Sequence, residues 1–376
     1  MVGMLVSCGG KKNAKNGEVK SETVEVEAAT QYEGPLYGIS DMNIQYWFID
    51  TLGRVVLGPY DHADDFCEGL SRVWKRMRGA DNPGDWEWDR DWSEGKWGFI
   101  DRTGDFVIEP KYDAARGFSE GLAAVRTGDE TSGKWGYIDK SGKWVIEPKY
   151  AEAQSFSEGV AFVKERIGEG YVEYCIDKKG NMLFERPERT SDEFHDGLAI
   201  IIIDGKWGYM DKSCAIAIEP SFSYAEDFSE GMARVGIGEG DSIRYGFIDK
   251  SGKMVIEPKY NSAGSFNEGL AVVSIDGKYG YIDKRGKVVV NLVYDGADAF
   301  SEGLAGVWVG GQWWEGGKQG YIDKTGKMVI EAQYCWAGLF ENGMAKVGLG
   351  DDYKDGKCGY ITRKGVLVWQ GFELID

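Results

Sequence analysis

Histidine is nearly absent from this sequence, and proline, basic charge and long apolar runs are scarce. Two histidines, His62 and His195, leave little from which to build a histidine-ligated metal site or a general base. His195 also stands in the serine position of a repeated Phe-x-acid-Gly turn, a surface position. No phosphate loop, nucleophile elbow or zinc-ligand cluster can be found. No segment is apolar enough to cross a bilayer. Lys and Arg number 44 against 62 Asp and Glu, and the net charge of -18 repels a phosphate backbone, which excludes nucleic acid as a partner. The six cysteines do not form a disulfide framework, because Cys67, Cys175, Cys214, Cys335 and Cys358 each occupy a position where sister segments carry another residue.

Against these absences stand 55 Gly, 20 Tyr and 14 Trp with only 8 Pro, a composition of short aromatic strands joined by tight turns. The fold class is all-β, and the chain repeats itself. Trp97-Gly98-Phe99-Ile100-Asp101 aligns with Trp135-Gly136-Tyr137-Ile138-Asp139, Trp207-Gly208-Tyr209-Met210-Asp211, Tyr245-Gly246-Phe247-Ile248-Asp249 and Tyr279-Gly280-Tyr281-Ile282-Asp283. Weaker copies centre on Asp50, Asp177 and Asp323, with a partial ninth at Thr362. Each unit reads as a strand ending at Ile-Asp, a turn, a second strand ending at Glu-Pro, and a third strand of the Gly-Leu-Ala-Val type entered through Phe-Ser-Glu-Gly. Asp followed three residues later by Gly is the chemistry of a type I turn closed by a left-handed glycine. Asp101, Asp139, Asp211, Asp249, Asp283 and Asp323 are therefore assigned to turns, not to catalysis. A three-stranded unit cannot bury its apolar face alone, so neighbours must pack to make a continuous core.

The distance from the Asp position to the valine closing the third strand is 24 residues in seven units, as from Asp101 to Val125 and from Asp249 to Val273. From that valine to the next Asp position it ranges from 10 to 28 residues. Length variation is thus confined to one connection per unit, and these connections should project from a single edge, where repeat proteins usually carry recognition. The longest holds Trp86, Trp88, Asp89, Asp91 and Trp92, and a second is assigned Trp308, Trp313 and Trp314. Trp faces flanked by carboxylates suit a sugar ring or a basic peptide, so the expected partner is a protein or a cell-surface glycan. No loop has the carboxylate spacing of a calcium motif, and no cofactor or metal is expected. A non-catalytic binding or scaffold protein is the expected function. The alternative is a carbohydrate-active enzyme using paired loop carboxylates such as Asp89 and Asp91.

Residues 133–150 spell Gly-Lys-Trp-Gly-Tyr-Ile-Asp-Lys-Ser-Gly-Lys-Trp-Val-Ile-Glu-Pro-Lys-Tyr, and with its sister units this resembles the bacterial WG repeat family over about residues 44 to 370. The resemblance implies a repeat scaffold without a settled activity. Near the start, Leu5-Val6-Ser7-Cys8 resembles a bacterial lipobox, which implies a lipid on Cys8. The apolar run before Cys8 is shorter than the roughly 7 to 15 residues of a complete signal, so residues 1–8 are taken as a signal remnant. Gly9 rather than Asp after the cysteine implies sorting to the outer membrane, facing periplasm or exterior; the alternative is a cytoplasmic protein. Residues 9–34 are polar and aperiodic, as expected of a tether, and residues 35–376 form the array.

For the array two architectures compete. An open curved stack of about eight units is favoured, because eight and a half is an awkward number for closure. A closed β-propeller is the alternative, since residues 35–40 (Pro-Leu-Tyr-Gly-Ile-Ser) resemble a third strand that could complete the partial C-terminal unit.

Overall fold

A computed structural model describes residues 34–40, 45–76, 95–187, 190–311, 316–350 and 357–372. In each unit the chain runs through an antiparallel meander whose strands pair in sequence order. The third sheet shows the type: a short strand at Ala114–Ala115, a Leu-Ala strand at Leu122–Thr127, a Trp-Gly strand at Lys134–Asp139 and a Glu-Pro strand at Trp144–Tyr150. Among the described residues nine such sheets follow one another, six with four strands and three with three. In the fifth and ninth, the bridges Thr190↔Ile201 and Ala337↔Val347 stand where the short strand would be. The helical content among the described residues is a single 3-10 turn at Gly240–Ser242.

The turn between Trp-Gly and Glu-Pro strands is built by its aspartate. Asp139 accepts the Ser141 amide at 2.9 Å, the Ser141 hydroxyl at 2.6 Å and the Lys143 amide at 3.1 Å. Gly142 sits at φ +80° and donates to the Asp139 carbonyl at 2.9 Å. The same arrangement recurs at Asp211, Asp249 and Asp323, where a Ser or Thr hydroxyl and then the turn amides hold each carboxyl below the usual carboxylate range.

The glycine beside tryptophan has a different cause. Trp135 faces Tyr150 and Tyr137 faces Ile146, so the Glu-Pro strand carries extra residues that bulge over Gly136. A Cβ on Gly136 would lie 2.6 Å from the Ile146 carbonyl oxygen and 2.8 Å from the Pro148 nitrogen. In the fourth sheet the Glu-Pro strand is only Met182–Glu185 and lies in register with Tyr174; there the glycine position is a tyrosine.

The core lies between sheets, as the repeat pattern demands. One cluster joins Trp97, Phe99, Ile108 and Tyr112 of the second sheet to Ala115, Phe118, Ala123 and Val125 of the third. In six sheets the Phe of the Phe-Ser-Glu-Gly turn packs on the aromatic of the preceding Trp-Gly strand, with ring centroids 4.7 to 4.8 Å apart for Phe118 on Phe99, Phe156 on Tyr137, Phe228 on Tyr209, Phe266 on Phe247, Phe300 on Tyr281 and Phe340 on Tyr321. Where that aromatic is a tyrosine, its hydroxyl crosses to the next sheet: Tyr137 donates to the Gln154 carbonyl, Tyr209 to Glu226, Tyr281 to Asp298 and Tyr321 to Gly338.

A polar clamp joins the sheets at one end. Glu120 sits at φ +53°; its carboxylate accepts the Gly159 amide and pairs with Lys178, which also donates to the Glu120 carbonyl. Glu68 with Gly121 and Lys140, Glu158 with Gly197 and Lys212, Glu230 with Gly269 and Lys284, and Glu268 with Gly303 and Lys324 repeat it.

The last sheet meets the first by the same kind of joint. Tyr37 donates to the Asn342 carbonyl at 2.6 Å across 305 residues, and Tyr360 to the Gly38 carbonyl at 2.9 Å across 322. Tyr37, Ile39 and Ile49 share a cluster with Met344, Tyr360, Val368 and Trp369. A Cβ on Gly53 would strike the Val368 carbonyl of the ninth sheet, just as Gly142 packs on Ile108 of its own predecessor. The nine sheets therefore form a ring, a β-propeller, and the open stack favoured above is corrected to the alternative architecture. The odd count came from phase: Tyr37–Ser40 is the Leu-Ala strand of the first sheet and pairs with Tyr46–Ile49, not with the C-terminal unit. Counted that way, the described residues hold nine units, and among them no strand is exchanged at closure.

Candidate binding face

In every sheet the Leu-Ala strand ends and the Trp-Gly strand begins at the end opposite the Glu-Lys clamps, with one connection between them. These connections are residues 41–45, 77–94, 128–133, 168–169, 204–205, 238–243, 276–277, 310–317 and 349–356. The variable lengths read from the sequence all fall here. The short link before each short strand reaches the same end and braces it: Asp113 accepts the Gly128 amide at 2.8 Å, Asn261 the Asp276 amide at 3.1 Å and Asp295 the Gly311 amide at 2.9 Å.

Most of the residues expected to bind lie outside the described residues: Cys8, then Trp86, Trp88, Asp89, Asp91 and Trp92 of the longest connection, and Trp313 and Trp314. Trp308 is described, and it is a strand residue. It lies within Leu304–Val309, half-buried, opposite Gln319, with its carbonyl accepting the Asp295 amide. Its assignment to the connection is corrected accordingly; the strand runs one residue past it before the chain turns.

Carboxylates on this face are often braces. Asp129 accepts both the amide and the hydroxyl of Thr131 and of Ser132, at 2.7 to 2.8 Å, and these bonds hold its carboxyl far below the usual range. Asp113 pairs with Lys96, and Asp295 with Lys278. Sequence reasoning missed a basic ring on the same face. The first residue of the Trp-Gly strand is Lys134, Lys206, Arg244, Lys278, Lys318 or Lys357 in six sheets. In four consecutive sheets that cation stands opposite a β-branched residue: Ile203↔Lys206, Ile237↔Arg244, Ile275↔Lys278 and Val309↔Lys318. Those four aliphatic side chains are exposed, as are Ile167 and Tyr171 at the tip of the long fourth-sheet hairpin. The signal was present in the Lys of each Lys-Trp-Gly, but it gains meaning only when the repeat is closed into a ring.

Other titratable groups gather elsewhere. His195 lies 3.6 Å from both Glu193 and Asp227 in the turns at the clamp end, replacing a serine that in sister sheets bonds the next Phe carbonyl. The five described cysteines are free thiols, and burial pushes Cys175 up to about 12. Among the described residues no three His, Cys, Asp or Glu side chains are placed to hold a metal ion.

The model of the WG containing repeat matches residues 97–130, 135–166, 207–239, 245–279, 279–313 and 320–353, more than half of the 376-residue chain. The chain belongs to the WG repeat family. No curated protein matches the sequence. Among solved structures, this WG repeat protein is similar to a eukaryotic initiation factor, 13% identical with a TM-score of 0.39 over 73% of this chain and 93% of that one. It is also similar to the β-propeller domain of the Trilobed protease from Pyrococcus furiosus, 12% identical with a TM-score of 0.35 over 72% and 98%. A third is the tricorn protease, 15% identical with a TM-score of 0.31 over 81% of this chain and 35% of that longer one. All three are likenesses of overall chain course, and the ring described above rests on this chain's own strand pairing and closing contacts.

Proposed function

We propose that this WG repeat protein is a non-catalytic binding module held at a bacterial cell envelope by a lipid on Cys8, with a protein or a cell-surface glycan meeting its variable-loop face. The observation that carries the reading is the confinement of all length variation to one end of a ring whose other end is clamped alike in sheet after sheet. A scaffold selected only for its fold has no reason to vary at one end alone. Exposed Ile203, Ile237, Ile275 and Val309, each beside a cation, add apolar contact area to the same face. The Trp-rich connections, with Trp86, Trp88 and Trp92 in one and Trp313 and Trp314 in another, are the anchors of the reading.

Replacing Trp86, Trp88 and Trp92 with Ala together should weaken the ligand while leaving the melting temperature nearly unchanged, because these residues stand outside the repeated core. A glycan held on Trp faces should bind almost independently of salt. A basic protein should lose affinity as ionic strength rises, since exposed charges are screened beyond about 8 to 10 Å. A triple variant that melts many degrees lower would withdraw the site. For the anchor, labelling with a clickable fatty acid in cells should mark the parent and not Cys8→Ala; label retained by that variant refutes it.

A further inference from the structure

We infer that the outer strand of the seventh sheet, Val288–Tyr294, pairs antiparallel with the same strand of a second copy of this chain. The inference concerns the rim of the ring and rests on neither the ligand nor the lipid proposed above. Among the described residues the Glu-Pro strand forms one edge of its sheet. The short strands at the other edge carry buried alanines, Ala115, Ala153, Ala225 and Ala263, as the crowded centre of nine converging sheets requires, so the Glu-Pro strands face outward. An outward strand edge is a template for further pairing unless proline, charge or shortness blunts it.

Six sheets have outer strands of seven residues, and five of these are blunted alike. Their fourth position is an exposed Glu109, Glu147, Glu219, Glu257 or Glu331. The fifth is Pro110, Pro148, Pro220 or Pro258 in four of them, and the sixth is Lys111, Lys149 or Lys259 in three. The seventh sheet has Asn291, Leu292 and Val293 at the same positions, so both charges are gone and a peptide N–H stands where its sisters have proline. Val289, Asn291 and Val293 alternate along one exposed row, with Val293 at 60% exposure. The remaining outer strands differ in kind. The first sheet carries Pro59, and the fourth stops at Glu185, two residues before Pro187. The ninth, Leu367–Phe372, lacks proline, but its exposed Leu367 and Gln370 stand three residues apart and do not share a row.

Symmetry selects a second copy as the occupant. A two-fold axis relating antiparallel strands keeps every side chain on its own face of the sheet, so the axis must pass through a residue and not between two. Through Asn291 it sets Asn291 against the partner's Asn291, whose amides can donate and accept, and Val289 against the partner's Val293. The same register brings Lys287, just before the strand, level with the partner's Asp295, just after it, and so places opposite charges at both ends. Sister strands fail this test. An axis through Glu147 would oppose two glutamates, and one through Glu109 would also bring Asp105 level with the partner's Asp113. The net charge of -18 on each copy opposes contact elsewhere, which confines the association to this uncharged edge and keeps it weak.

Sedimentation velocity of the full-length chain should show a reversible dimer at about 100 µM, the range of a weak association. Asn291→Glu with Val293→Lys installs the residues that the third and sixth sheets already hold at these positions. The double variant should therefore melt as the parent does, while its dimer dissociation constant rises at least about tenfold. Asn291→Cys, oxidised mildly at the same concentration, should give a disulfide-linked dimer, because directly opposed strand residues place their Cα atoms about 4.5 to 5.5 Å apart, within reach of a disulfide. Glu257→Cys, at the same position of the sixth sheet, sets the background from other thiols. Four outcomes each overturn the proposal: a parent that stays monomeric, a double variant that dimerises as the parent does, linking through Asn291→Cys no greater than through Glu257→Cys, or open-ended growth in place of a dimer.

Discussion

Gly136 and Gly142 stand six residues apart for unrelated reasons, and only one reason is written locally. Gly142 completes an Asp-x-x-Gly turn, so spacing alone announces it. Gly136 is demanded by a bulge in a strand ten residues away, and no local pattern marks that. Gly136→Ala should therefore cost about 1 to 3 kcal/mol, the range of overpacking against a backbone that cannot yield. Gly170→Ala, at the hairpin tip with its nearest atom 4.0 Å away, should be nearly neutral; urea denaturation of both variants checks the contrast. The turn aspartates make a second residue-scale prediction. Asp139, Asp211, Asp249 and Asp323 have carboxyls held below their ordinary range by Ser or Thr hydroxyls and turn amides. A group with a depressed folded pKa stabilises above its unfolded value and loses that contribution as pH falls toward the folded value. Burial raises Asp227 and Asp298, which act in the opposite direction, but the depressed group is the larger. Stability measured by denaturant should thus be flat near neutrality and fall below about pH 4. A rise in stability on acidification there would contradict the turn geometry.

Within a single sheet, the cross-strand pair at the middle of Leu-Ala and Trp-Gly strands shows how the repeat tolerates change. The third sheet pairs Ala124 with Tyr137, small against large; the fourth pairs Phe162 with Cys175, large against small. The exchange conserves volume, and Phe162 takes over the packing role by stacking on Phe194 with centroids 6.0 Å apart. Cysteine in an aromatic position looked like an isolated substitution in the sequence, because its compensating partner lies 13 residues upstream on the neighbouring strand. Cys175→Tyr alone should overpack and destabilise by about 1 to 3 kcal/mol, and Phe162→Ala alone should leave a cavity costing about 3 to 5 kcal/mol. Together they rebuild the sister pair, so the double variant should be more stable than the sum of the two by at least about 1 kcal/mol. Simple additivity in that cycle would mean that the two positions do not compensate each other.

Closure belongs to the whole molecule, and it was the feature the sequence left undecided. Periodicity shows each unit and its neighbour, whereas the joint between first and ninth sheets is made by residues more than 300 apart, with Tyr360 repeating the tyrosine crossing of internal joints and Tyr37 standing on the carbonyl where they carry the Lys of the clamp. Nine sheets sharing a full turn rotate by about 40° at each joint. Deleting residues 249–282 removes one unit in phase and asks each remaining joint for about 45°. An open stack would lose one interface and otherwise be indifferent. In the ring, eight joints fixed by aromatic contacts and polar bonds between sheets must either strain together or let one part. The joint that parts should be between the first and ninth sheets, since it alone has no peptide link between its two sheets. The deletion variant is therefore expected to fold, to melt below the parent, and to lose hydrogen-exchange protection first in Tyr37–Ser40 and Lys357–Thr362. Unchanged melting with protection intact at both strands would show that the joints do not set the ring, and that an array of this kind closes at whatever number of units it is given.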